Sequence, residues 1–117
     1  MKPVKVPIEA YESASRKVSL VFKDKYGNLV DLNGYTARME IRSSVDDESD
    51  TPILLLTTGN GGLSINGDLG KVTIFIEEVL LEYTGVFDML LISPSGFIHK
   101  PVRTSPFKVI PGVTHGS

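Results

Sequence analysis

The chain has 117 residues, no cysteine and a formal net charge of -2. That length makes one domain, or one domain with a tail, and buries a core without metals or crosslinks. The missing cysteine excludes disulfides, thiolate catalysis and cysteine-ligated zinc.

The slightly acidic balance argues against a nucleic-acid binder, which needs a clustered basic surface. No apolar run approaches the ~18 residues of a membrane-spanning helix. Residues 1–5 lack the apolar stretch of a secretory signal. Gly 11 and Pro 7 in so short a chain predict many turns, and so many short strands.

Val4, Val6 and Ile8 alternate with Lys5, Pro7 and Glu9, which predicts a first strand. Proline has no N–H to give a ladder, so Pro3 and Pro7 keep it at a sheet edge. Residues 11–15 are a polar connection. Over residues 17–23, Val18, Leu20 and Phe22 take one face and Lys17, Ser19 and Lys23 the other. Residues 24–28 carry turn chemistry, and residues 29–32 predict a short strand. Asn33-Gly34 turns the chain again. Residues 35–42 then alternate cleanly: Tyr35, Ala37, Met39 and Ile41 against Thr36, Arg38, Glu40 and Arg42. Period two over this run predicts a half-buried strand, because a helix would scatter the same apolar residues around its circumference.

Residues 43–52 hold Asp46, Asp47, Glu48 and Asp50 and read as a solvated loop. Residues 53–56 predict a buried strand, residues 57–62 a glycine-rich turn, and residues 63–65 a brief strand. Residues 66–68 turn the chain into a strand over 71–76, with Val72, Ile74 and Ile76 inward. Residues 77–82 are the one expected helical turn, with Val79 and Leu80 plugging an end of the core. Residues 83–92 are apolar on both faces, which predicts a central strand covered on two sides. Pro94 and Gly96 make a turn of residues 93–96, so a β-hairpin stands at the heart of the domain. Residues 97–103 contain Pro101, which predicts an edge strand or a break there. A last strand is expected near residues 107–110.

This pattern predicts an all-β fold, an antiparallel immunoglobulin-like β-sandwich with at most one short helical turn. Residues 1–110 form the single domain and residues 111–117 a C-terminal tail. The expected core holds Leu20, Phe22, Ala37, Met39, Ile41, Ile74, Phe87, Met89 and Leu91.

The acidic loop lacks the EF-hand spacing and reads as solvated. Gly59, Gly61, Gly62, Gly67 and Gly70 fail the phosphate-loop spacing and read as turn glycines. His99 and His115 are too few for a histidine metal site; the first reads as a surface residue and the second lies in the tail. No nucleophile elbow occurs. Asp88 is a carboxylate inside an apolar strand, and reads as solvent-facing, hydrogen-bonded, or paired with Arg38 or Arg42. No catalytic, cofactor-binding or metal-ligating residue is assigned.

Residues 32–42, Leu-Asn-Gly-Tyr-Thr-Ala-Arg-Met-Glu-Ile-Arg, resemble a strand that recurs in small tailed-bacteriophage proteins. Residues 57–65, 70–76 and 83–96 resemble its later pieces in order. Together they resemble the N-terminal domain of phage baseplate upper proteins. That resemblance implies a non-enzymatic immunoglobulin-like module of the virion, assembled in the host cytoplasm. It implies binding to other virion structural proteins and a homo-oligomer within the particle, with no cofactor, nucleic acid or membrane as partner. Strand edges and both termini are the expected contacts. A carbohydrate-binding β-sandwich assisting host-surface attachment is the alternative. The lack of tryptophan and the scattered tyrosines 11, 26, 35 and 83 weigh against it.

Overall fold

Strands form where apolar residues alternate. The computed structural model describes residues 3–44, 52–77 and 81–111. Among these, the strands are β1 (Ile8–Tyr11), β2 (Arg16–Val21), β3 (Thr36–Arg42), β4 (Leu54–Thr57), β5 (Leu63–Asn66), β6 (Lys71–Ile76), β7 (Gly85–Ile92) and β8 (Ile98–Ile110). Two 3-10 turns, Gly67–Leu69 and Leu81–Tyr83, are the remaining regular elements. The larger sheet has the order β1-β8-β7-β3-β4 and the smaller β2-β6-β5. Neighbours are antiparallel except β1 and β8, which run parallel with Ile8 beside Phe107.

One core joins both sheets. The larger sheet contributes Met39, Ile41, Phe87, Met89, Leu91, Val102 and Phe107; the smaller contributes Leu63, Val72, Ile74 and Ile76. Burying each such side chain fully stabilises the fold by about 1.5–3 kcal/mol. Phe22, Ala37, Met39, Ile41, Ile74, Phe87, Met89 and Leu91 are buried as the alternation predicts. Leu20 is only half-buried, because β2 is an outermost strand.

Several expected elements are corrected. The first strand starts at Ile8, not Val4. Val4 makes a single bridge to Val102, and the Val6 N–H donates to the Ser105 hydroxyl at 2.8 Å instead of to a strand carbonyl. Residues 29–32 form no strand: Leu29 bridges Lys23 once, and Leu32 is buried with its N–H on the Gly67 carbonyl. The helical turn is a 3-10 turn at Leu81–Tyr83; Val79 and Leu80 lie outside the described residues.

The largest correction concerns the hairpin. Residues 98–103 and 107–110 belong to one strand, β8, which lies between β1 and β7 and is not an edge. The break expected at Pro101 takes the form of register shifts: Phe87 faces Ser105, Met89 faces Val102 and Leu91 faces His99. Such bulges let a proline sit inside a paired strand. β7 is central, as expected, but only one face is buried. Val86, Asp88, Leu90 and Ile92 stay half-exposed on the outside. The hairpin turn closes with the Gly96 N–H on the Ser93 carbonyl at 2.9 Å, and Gly96 has φ of 88°.

Candidate functional site: the outer sheet face and the strand edges

β3 and β7 set out the exposed face of the larger sheet. Glu40 stands between Arg38 and Arg42, two residues away on either side and therefore on the same face. Arg38 Nη2 donates to Glu40 Oε1 at 2.8 Å, and Arg42 Nη2 donates to Oε2 at 3.2 Å. The Arg38 hydrogen bond is the largest cause holding the Glu40 carboxyl below its ordinary value; partial burial opposes it, and Arg42 adds to it.

Asp88 lies opposite Glu40 in the β3–β7 register. Two carboxylates side by side repel, so each needs a cation. The arginines hold Glu40, and Lys100 Nζ approaches Asp88 Oδ2 at 4.0 Å. Asp88 is therefore solvent-facing and paired, with a lysine in place of the expected arginine. Around this network Val86, Leu90 and Ile92 remain half-buried, opposite Arg42, Arg38 and Thr36.

His99 is not on an edge strand. Its ring lies 5.2 Å from Phe97 and 6.2 Å from Tyr35, which leaves it half-buried. The glycines sit in turns, as expected, and Gly61 and Gly70 have positive φ. Asp46, Asp47, Glu48, Asp50 and His115 lie outside the described residues. Among the described residues no three His, Asp or Glu side chains gather as a metal site. No helix there is long and apolar enough to cross a membrane.

A cleft of about 330 Å³ opens between β4, the turn after it and β6, lined by Leu54, Leu56, Asn60, Phe75, Glu77 and Tyr83. Asn60 carries a role that sequence reading missed. Its amide donates to the Leu55 carbonyl at 3.0 Å, and its Oδ1 accepts from the N–H groups of Thr57 and Gly62, each at 2.9 Å. A side chain thus occupies the outer edge of β4 as a further strand would. The signal was a polar residue between Gly59 and Gly61, where an Asx-type turn folds back on its own strand.

The other edges differ. β1 follows Pro7, and its Glu9 carbonyl accepts a hydrogen bond from the Arg16 guanidinium. β5 has four residues and runs straight into the 3-10 turn at Gly67. β2 has six residues, none of them proline, and among the described residues it pairs with β6 alone.

No protein-family model matches this chain, and no curated protein matches its sequence.

Proposed function

We propose that the chain is a non-enzymatic structural module of a tailed-bacteriophage virion, with an immunoglobulin-like sandwich fold. It joins or decorates other virion proteins through its strand edges and the outer face of its larger sheet. The reading starts from the resemblance of residues 32–42 and 83–96 to the N-terminal domain of phage baseplate upper proteins. The observation that carries the fold part of it is the strand order. In immunoglobulin-type sandwiches the second, sixth and fifth strands of this count face the eighth, seventh, third and fourth. The order β2-β6-β5 against β8-β7-β3-β4 supports that reading, with β1 moved to the edge beside β8.

The binding role draws on the surface. Half-buried Val86, Leu90 and Ile92 lie beside Arg38, Glu40, Arg42 and Asp88. Apolar patches with a charged frame serve protein contacts better than they serve chemistry. Two arginines hold Glu40, and Lys100 lies 4.0 Å from Asp88.

The test is immunogold labelling of purified phage particles with antibodies against the folded protein. Labelling at a fixed place on the particle is the expected result. Particles without the protein, from infected cells that contain it, would overturn the reading.

Sugar binding has one observation in its favour: Phe75 and Tyr83 line the cleft beside β4. Asn60 there is already committed to backbone groups, which leaves the Glu77 carboxylate and the Tyr83 phenol as the lining side-chain groups to offer a sugar hydroxyl. A glycan array separates the two readings, and no glycan signal is expected.

A further inference from the structure

The smaller sheet is unfinished on one side. Among the described residues β2 is its outermost strand, with β6 as its strand partner. The phase of the ladder is set by the Phe22 N–H, which donates to the Gly70 carbonyl at 2.8 Å. Residues an even number away share that direction, so Val18 and Leu20 turn their backbone groups to β6. Lys17, Ser19 and Val21 turn their N–H and C=O groups to the open side.

Three further observations concern this edge. Val18 and Leu20 point to the core face yet stay half-buried, whereas Val72 and Ile74, their register partners on β6, are fully buried. Secondly, the other edges are blunted: β4 by Asn60, β1 by Pro7 and Arg16, β5 by its four-residue length. Among the described residues β2 has no such device apart from its charge. Thirdly, that charge has one sign. Lys17, Lys23 and Lys71 line the outer face beside the edge, and none of the three makes an ion pair among the described residues. Lys17 instead lies 5.3 Å from the Phe75 ring centre. Asp24, the nearby carboxylate, accepts from the N–H groups of Tyr26 and Asn28.

We propose that the β2 edge receives an extended acidic segment of a partner protein, which adds a fourth strand to the smaller sheet. This deepens the proposed function and rests on its premise that the chain binds by strand edges. Main-chain bonds to Lys17, Ser19 and Val21 supply affinity, and alternate side chains supply specificity. Partner residues opposite Val18 and Leu20 face the core and are apolar. Those opposite Lys17, Ser19 and Val21 face outward, where carboxylates meet Lys17 and Lys23. The partner motif therefore alternates acidic and apolar residues over about five positions. A second copy of this chain is a poor occupant. Pairing β2 with β2 sets Arg16, Lys17 and Lys23 of both copies along one seam, and like charges across strands destabilise.

The experiment titrates the full chain with a capped seven-residue peptide alternating glutamate and valine, followed by amide hydrogen exchange and calorimetry. The expected result is slowed exchange at Lys17, Ser19 and Val21, with no change at Val18 and Leu20, whose amides β6 already protects. The double variant Lys17→Glu, Lys23→Glu should keep its melting temperature and bind about tenfold more weakly. A peptide alternating lysine and valine should then bind that variant better than it binds the native chain. Protection at another edge, binding indifferent to the charge reversal, or β2-mediated dimers that exclude the peptide would each overturn the proposal. None of these outcomes bears on whether the protein is found in particles, so the two readings fail separately.

Discussion

Single residues hold this sandwich in ways that differ in kind. Gly96 and Gly70 both have positive φ, at 88° and 58°, but their surroundings differ. A Cβ at Gly96 meets nothing within 4 Å, whereas at Gly70 it comes 2.6 Å from the Val30 carbonyl oxygen and 2.9 Å from that of Phe22. Gly96→Ala should therefore cost only the left-handed backbone term, about 1–2 kcal/mol. Gly70→Ala should cost more, because two backbone oxygens must also move. Thermal melting of the pair checks the order, and equal losses would contradict it. Glu40 gives a pH signature. Its folded value lies below the ordinary 4.5, so its stabilisation is present above that pH and fades as the pH falls through the lower folded value. Glu40→Gln removes this titration. Its unfolding free energy should change less than the native protein's as the pH is lowered from 5 towards 3, in denaturant melts at about those values.

At the level of elements, the edge of β4 offers a direct check. Asn60→Ala deletes three hydrogen bonds to backbone groups, each worth about 0.5–1.5 kcal/mol net. Exposure of Leu55 and Thr57 to water softens the loss, so a drop of about 1–2 kcal/mol is expected. Faster amide exchange at Thr57 should accompany it, with β7 unchanged. How far the elements were legible follows from what alternation encodes. β3 and β6 were readable residue by residue, since each has one wet and one dry face. β8 was not, because Pro101 suggested an edge or a break, with a separate last strand after it. The pairing of its two sides with β1 and β7 depends on contacts far away in the sequence. β7 looked covered on both faces because Val86, Leu90 and Ile92 are apolar. Beside them in the register stand Arg42, Arg38 and Thr36, and no second layer packs on that face among the described elements. Asp88 was placed correctly at the surface, but its cation comes from Lys100 on β8, whose neighbour no local pattern reveals.

For the whole molecule, the core is shared between two sheets and neither is dry without the other. Met39 is fully buried at its centre, on a strand flanked by β7 and β4. Met39→Asp sets a charge there without a partner and should abolish cooperative unfolding, since the penalty rivals the ~5–15 kcal/mol stability of a small domain. A sharp melting transition in that variant would show that the assigned face is wrong.

The parallel contact between β1 and β8 also dictates an order of events. Ile8 meets Phe107, almost the full length of the chain away. During synthesis on a ribosome, β1 emerges first and waits for a partner that is made last. Until then its inward Ile8 and Ala10 have nowhere to go, and chaperones have their best target. The remaining sheets can form before β1 docks, so this strand should close the fold as its final step. Trimming its core contact, as in Ile8→Val, should then speed unfolding while leaving the refolding rate nearly unchanged. A matching slowdown in refolding would mean that the two ends of the chain find each other early.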